Sequence, residues 1–530
     1  MAPGVRNDPC ITGALLYPAI IETQGFTLTQ RDVRMVYAAM MAATALSALN
    51  ASTVSTALTT IIGDLGGIRA YTWVSTSYML TSTAVTPLFG KFSDIYGRKL
   101  LVQLSIAIFF VGSVLCAIAP SMAMLVAARA VQGIGSGGIQ AMSFVVIADI
   151  VSPRERGRYV GAFTSIWAFT SVLGPLVGGV IVDNFSWRWI FLVNLPIGIV
   201  ALLMIQKYLT LPTIRRDTSI DTRGAFLLTS GVASVILTIS WASEEYGWGS
   251  SQALGMVALT VALLAGFLWW EPHATNPILP LHLFRSHTIQ RVVPMVTLVS
   301  ACMSLVGAFM PLFLQSVTGV SPTNSGLLLV PMMAGLTLAS TLVGRWTVQT
   351  GRYRIWPIGG TAFLVAGLVC LMFLENSGRG IAIAMVGMTF IGLCTGASLP
   401  VSTTAIQNSV DVQNMGVATS LSVLMRSLGS TISLAAFGSL LNAQVIGKVK
   451  DEYLRRPRLI NQLPEPARSQ TIDVVSNAIV AVYRAAIPLA ILAFLLAYAV
   501  REIPLREHAA FEDPSVKANA VSPGDGNPAD

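Results

Sequence analysis

Fourteen apolar runs follow one another between residues 35 and 499, each about 18 to 27 residues long. A hydrocarbon core takes roughly 20 apolar residues per helical span. Runs of that length, repeated that often, constrain the chain more than any single motif does. They fall at about 35–56, 71–90, 100–119, 123–147, 159–182, 189–208, 223–243, 253–270, 290–316, 323–346, 355–374, 380–402, 415–441 and 475–499. Charge agrees with this reading. Asp, Glu, Lys and Arg make up 11% of the 530 residues, less than half the roughly 25% of an average globular protein. That is too little to cover a soluble fold of this size. The expected class is an all-α, polytopic membrane protein. Disorder, a collagen repeat and a disulfide scaffold are excluded by the same composition.

The formal charge of +8 would raise nucleic acid as a partner in a soluble protein. Here it reflects the excess of Lys and Arg in cytoplasmic loops. With both termini placed in the cytoplasm, 21 of the 33 basic residues lie in cytoplasmic segments. Segment 442–473 is the exception: it holds six basic residues on the outside and reads as a short amphipathic hairpin. Residues 1–34 lack a short apolar core with a small-residue cleavage site, so the first span is expected to act as an uncleaved insertion signal. Cys116, Cys302, Cys370 and Cys394 lie in apolar runs, and the four His fall in loops or the tail. Neither a metal set, a cofactor site nor an intramembrane His relay is expected. Asn50-Ala-Ser and Asn184-Phe-Ser match the glycosylation pattern. The first lies inside a span.

A weak internal repeat organises the runs. Gly90-Lys-Phe-Ser-Asp-Ile-Tyr-Gly-Arg-Lys99 ends the second, and Gly344-Arg-Trp-Thr-Val-Gln-Thr-Gly-Arg-Tyr353 ends the tenth. If each copy follows the second helix of a six-helix unit, the plan is 6 + 2 + 6. The expected division is a segment 1–34, a bundle at 35–208, two inserted helices with linkers at 209–289, a bundle at 290–499 and a disordered tail at 500–530. Parallel halves around a midplane cavity are a transporter design.

Gly90 to Lys99 resembles the loop signature of the major facilitator superfamily. Gly90 and Gly97 allow close packing and a turn, and Asp94 can face a neighbouring helix N-terminus. The plain alternative is a basic loop that only sets topology. In the fourth span, Arg129-Ala-Val-Gln-Gly-Ile-Gly-Ser-Gly-Gly138 contains a dinucleotide-like glycine spacing. No strand or βαβ unit surrounds it, so the glycines read as helix contacts. An Arg inside a span is costly and usually functional. The resemblance associates Arg129 with proton coupling; the alternative is a structural Arg paired to carbonyls. Gly174-Pro-Leu-Val-Gly-Gly179 in the fifth span resembles the antiporter signature, carried by Gly174, Pro175, Gly178 and Gly179. A generic membrane-helix kink is the alternative.

Further stretches resemble the fourteen-helix drug:proton antiporter branch: Trp73 to Tyr78, Trp187 to Pro196, Pro311 to Gln315, and Arg426-Ser-Leu-Gly429. The resemblance implies export of small amphipathic compounds by alternating access, with protons as the coupling ion. It also implies a multi-pass protein of the plasma membrane that functions as a monomer. The expected coupling and gating set is Asp94, Arg98, Arg129 and Asp149, with Asp149 pairing to Arg98 or Arg129. The expected cavity set is Asn50, Tyr78, Gln132, Trp167, Gln315 and Arg426. One departure stands out: the branch usually carries an aspartate in the first span, where this chain has Asn50. Asn can hydrogen-bond a substrate but carries no proton near neutral pH. The charges placed mid-membrane are Arg129, Arg426 and Arg484, so neutral or anionic substrates are expected over dications. The same departure leaves an importer or uniporter open as a second reading. A transporter-like sensor is a third. No enzyme is expected, because no activated nucleophile, metal cluster or phosphate loop has credible context.

Overall fold

A computed structural model describes residues 21–23, 26–65, 71–210, 220–242, 247–320, 322–375, 378–411, 414–446, 448–449, 460 and 463–505. A short antiparallel hairpin, β1 (Ile21–Thr23) with β2 (Phe26–Leu28), precedes the first helix. Among the described residues, everything regular after it is helical. The first elements are α1 (Gln30–Leu65), α2 (Tyr71–Tyr96), α3 (Arg98–Ala117), α4 (Met122–Ile150) and α5 (Pro153–Asn184). Then come α6 (Trp189–Leu192), α7 (Asn194–Tyr208), α8 (Thr222–Trp241), α9 (Ser251–Trp270) and α10 (His287–Ser316). The chain ends with α11 (Pro322–Leu327), α12 (Val330–Thr350), α13 (Ile355–Leu371), α14 (Gly378–Asn408), α15 (Met415–Val445) and α16 (Ala467–Tyr498).

Among the described residues, eleven helices are long and apolar enough to cross a membrane. The chain is a multi-pass membrane protein. Three other helices fall outside that group. α13 has only 17 residues. α2 and α5 are diluted by Ser, Thr and Gly. The expected tenth span opens with the separate short helix α11 before α12. The last helix begins at Ala467, well before the expected 475. Residues 450–459 of the expected outer hairpin lie outside the described residues.

Local sequence explains the helix ends. Ser121, Asp221 and Ser250 accept a hydrogen bond from the backbone NH three residues on, capping α4, α8 and α9. Pro153 starts α5, where its missing NH costs nothing. Gly97 (φ 93°) and Gly351 (φ 69°) hold the two copies of the repeat in turns that disfavour any side chain.

One face carries both ends of the helical chain, here called the terminal face. There the last turn of α16 meets the loop before α13: Arg354 donates to the Tyr498 carbonyl at 3.1 Å. The expected disordered tail starts too early at 500. Val500 to Leu505 runs against this loop: the Tyr353 NH donates to Glu502 at 3.0 Å, and the Ile503 NH to the Tyr353 hydroxyl at 3.1 Å. Asn408 donates to the Pro504 carbonyl. These bonds satisfy backbone groups that would otherwise keep a polar strand in water. Residues 506–530 lie outside the described residues.

The packing pattern repeats. α4 lies between α2 and α3, as α14 lies between α12 and α13. α1 packs on α5 and α7, as α10 packs on α15 and α16. The two sets cross-pair through α2 with α15 and α5 with α12. Glycine makes the α4 contacts possible. A Cβ on Gly133 would lie 2.4 Å from the Tyr78 carbonyl oxygen of α2, and one on Gly135 2.3 Å from the Phe109 nitrogen of α3. Two helices can therefore touch opposite sides of α4 at backbone distance.

Among the described residues, the buried apolar side chains form one large group mostly from residue 228 onward, two groups centred on α1 to α7 and a smaller one on α12 and α14. Leu228, Val232, Ile236 and Phe267 of α8 and α9 belong to the later group. α8 also touches both α2 and α15. α9 is apolar all round yet mostly exposed, with Leu254, Leu259, Val261 and Leu268 uncovered. Such a helix is stable only against hydrocarbon.

Candidate functional site

Two clusters built from the expected site residues interrupt this apolar fold. The first surrounds Arg129, which is 1% exposed. Its Nη1 donates to Asn50 Oδ1 and to Gln132 Oε1, both at 2.6 Å, and its Nε to the Val74 carbonyl at 3.2 Å. The guanidinium carbon lies 4.1 Å from the centre of the Tyr78 ring. Gln132 is fixed in turn by donating to Ser113 at 2.7 Å. The Tyr78 hydroxyl donates to Ser136 Oγ at 2.7 Å, and Ser47 lies 2.6 Å from the same oxygen. Every partner in this cluster is neutral. A buried cation is expensive, and here dipoles and an aromatic face offset the cost. Asn50 gives its oxygen to Arg129, which leaves its buried Nδ2 without a hydrogen-bond partner.

The second cluster lies at the terminal face. Arg98 Nη1 pairs with Asp94 at 2.5 Å, and its Nε with Asp149 at 2.7 Å. Nη1 also donates to Ser93 Oγ at 2.6 Å. One arginine thus ties the end of α2 to the end of α4 from the first turn of α3. The Asp94 oxygens also face the start of α15: a Cβ on Gly416 would lie 2.7 Å from each. They accept no hydrogen bond there, so the contact is a charge set against the positive end of a helix. Gly90, one turn earlier, packs on Ser420, where a Cβ would meet its Oγ at 2.3 Å.

Asn50, Tyr78, Gln132 and Arg129 come together. Asp94, Arg98 and Asp149 come together separately, and Asp149 takes Arg98 in preference to Arg129. Of the other expected cavity residues, Gln315 and Arg426 do not join Arg129. Gln315 donates to Ser325 at 3.0 Å, one residue before the end of α10, and so holds α11. Arg426 lies 5.5 Å from the Phe144 ring, about 22 Å further along α4 than Arg129 at 1.5 Å per residue. The side chains of Trp167 and Pro175 lie outside the described residues. Arg484 is exposed on α16, with Ile491, Leu492 and Leu495 on the same side.

The antiporter-like glycines contact α1. A Cβ on Gly174 would lie 1.8 Å from Ser52 Oγ, and one on Gly178 would lie 3.0 Å from the Thr53 carbonyl oxygen. Gly179 has open space. α5 stays one helix through this stretch. Asn50, in the first glycosylation-like triplet, is buried, and Asn184 is exposed.

Sequence reasoning missed Arg156. It counted among the loop arginines, yet it is 1% exposed. It donates to Gln407 Oε1 at 3.1 Å and to the Ala148 carbonyl at 2.5 Å. Gln407 also donates to the Phe144 carbonyl. This pair links α5 and α4 to α14 across the two helix sets. Nothing local separates Arg156 from Arg154 and Arg158. Only the helical phase of α5, starting at Pro153, turns it inward.

A family model described as the Major Facilitator Superfamily matches residues 40–434 and 292–517. The chain belongs to the major facilitator superfamily. It is 34% identical over 414 residues to the multidrug transporter protein MdtP of Bacillus subtilis, covering 77% of this chain and 75% of that one. It is 32% identical over 499 residues to the efflux pump FUS6 of Gibberella moniliformis, covering 89% and 88%. A double-tryptophan mutant of XylE has a similar solved structure, with TM-score 0.60 and 15% identity over 92% of this chain and 98% of that one. At that identity the likeness concerns the fold. In this chain the two clusters draw on α2, α3 and α4, which carry the Gly90–Lys99 and Arg129–Gly138 stretches.

Proposed function

We propose that this major facilitator exports small amphipathic compounds, such as toxic or secreted metabolites, by proton antiport. It would belong to the fourteen-helix drug:proton antiporter branch. α2, α5 and α13 would cross the membrane with the eleven longer or more apolar spans, and α6 and α7 would act as one. Two six-helix bundles would flank the inserted α8 and α9. The terminal face would be cytoplasmic, in the plasma membrane, and one copy would suffice. The names of the relatives above support efflux.

The observation that carries the substrate reading is the neutral shell of Arg129. With Asn50 where the branch usually has its acid, a cavity opened beside Arg129 would present a cation and a spare amide donor. Both favour neutral or anionic groups. The contacts Asp94–Gly416, Gly90–Ser420, Gly161–Ser340 and Arg156–Gln407 lie in the terminal-face half of their helices. This fits a conformer closed toward the cytoplasm. Rocking the halves would break them and open the cavity inward. Protonation of Asp94 or Asp149 would loosen Arg98 and favour that step, and Arg129 would report cavity occupancy to it.

The test is substrate accumulation in cells with and without the protein, repeated after the proton gradient is collapsed. Lower accumulation that returns to the control level on collapse is expected. Accumulation indifferent to the gradient would remove the antiport reading. Stronger efflux of a permanent dication than of a neutral drug would remove the substrate reading. Arg129→Ala should abolish efflux while leaving membrane insertion intact.

A further inference from the structure

The two copies of the repeat sit at matching seams but differ chemically. At the first seam Gly90 of α2 packs on α15, and Asp94 faces the α15 N-terminus. At the second, Gly344 of α12 packs near the N-terminus of α5, where its Cβ would lie 2.9 Å from the Arg158 Cα. The residue in register with Asp94 is Val348. The second seam has no acid of its own at that place.

A groove of about 1130 Å³ lies beside this second seam, between α1, α5 and α12. Each helix contributes one arginine to it: Arg34, Arg158 and Arg345. All three are exposed. Their guanidiniums make no ion pair or hydrogen bond with a described residue. Among the described residues, Glu155 is the one acidic residue lining the groove, so the described mouth keeps a net charge of about +2. Away from the terminal face α1 and α5 line the groove with Met41, Ile166 and Phe169, while Ser165 and, on α12, Thr337, Ser340 and Thr341 add hydroxyl groups. Phe169 is 65% exposed. The opposite side of α5 carries Arg156, Val160 and Phe163, which are buried toward α4 and α14. The groove therefore opens outward, to the surrounding lipid.

We propose that this groove holds one anionic glycerophospholipid. Its phosphate would sit among Arg34, Arg158 and Arg345, and its acyl chains would run along Met41, Ile166 and Phe169. The lipid would supply at the second seam the negative charge that Asp94 supplies at the first. Size and polarity select this occupant. The volume exceeds the roughly 300–1,000 Å³ of pockets for drug-sized ligands, which is far more than a free ion fills. A basic mouth over an apolar strip of α1 and α5 at the membrane surface matches a headgroup with its chains. The proposal rests on the fold and does not depend on which compound is transported.

The test uses the full chain, purified in mild detergent from membranes containing phosphatidylglycerol and phosphatidylcholine. Retained lipid is counted by mass spectrometry. The protein should keep phosphatidylglycerol preferentially. Each arginine changed to glutamine should lower that affinity about fivefold, and Arg345→Lys should keep most of it. A control with Arg285→Gln and Arg352→Gln, which removes charge from the same face outside the groove, should retain lipid as the parent does. Thermal unfolding adds a second readout. Phosphatidylglycerol vesicles should raise the midpoint of the parent and not of the Arg34→Gln, Arg158→Gln, Arg345→Gln variant. Equal retention by parent and triple variant, equal loss in the control, or full stabilisation by inorganic phosphate alone would each overturn the proposal.

Discussion

Asp94 stands so close to Gly416 that a methyl group there would lie 2.7 Å from both carboxylate oxygens. The charge therefore reaches the α15 N-terminus only because position 416 has no side chain. Gly416→Ala should push α2 and α15 apart at the terminal face, at a cost of about 1–3 kcal/mol for the overpacked contact. Spin labels on α2 and α15 should report a longer distance and slower transport. An unchanged distance distribution would mean that the seam absorbs the methyl group elsewhere.

Arg98 neutralises two carboxylates that are almost wholly shielded, 6% and 0% exposed. Removing it leaves both buried and unpaired. Arg98→Gln should lower stability by about 3–5 kcal/mol, read as a reduced unfolding midpoint and yield of dispersed protein. Adding Asp149→Asn should restore part of the loss, because one uncompensated charge disappears. A double variant no better than the single one would contradict the pairing.

The Asn50 amide oxygen lies 2.6 Å from Arg129. Asn50→Asp would replace a dipole with a full charge at that distance and cancel the buried cation. Efflux of neutral and anionic compounds should fall relative to that of a cationic dye, measured as the ratio of the two rates. Asn50→Leu should instead leave Arg129 short of an acceptor and cost about 1–3 kcal/mol.

Glycines in α4 and α5 differ in what surrounds them. Gly135→Ala would drive a methyl group to 2.3 Å from the Phe109 backbone, whereas Gly179→Ala meets open space. Backbone cannot swing aside as a flexible side chain can. Gly135→Ala should reduce folded protein on size-exclusion chromatography several-fold, and Gly179→Ala should match the parent.

Much of this was legible in the chain. Run length and scarce charge announce the spans because hydrocarbon tolerates little else. The recurring Gly-basic pattern marks two matching turns, because Gly97 and Gly351 both need positive φ. Arg129 stood out because a lone cation inside an apolar run is rare. What stayed hidden depends on helical phase and tertiary partners. Arg156 looks like a loop residue until α5 begins at Pro153 and turns it inward. Gln315 looked like a cavity residue, but distance along α10 puts it beside α11. Val500 to Leu505 reads as polar tail, and its order comes from Tyr353 and Asn408, some 150 and 95 residues earlier.

The α8–α9 pair has a foothold on each side of the molecule. Trp241, ending α8, stacks edge-on against Trp73 of α2 with ring centres 5.6 Å apart. Trp248, in the turn before α9, donates to Ser439 of α15 at 3.1 Å. α8 itself touches α2 and α15 together. Any stroke that carries α2 away from α15 must drag α8 along one of them. In such a stroke α8 would be a bearing surface, and its grip would limit how far and how fast the joint could swing.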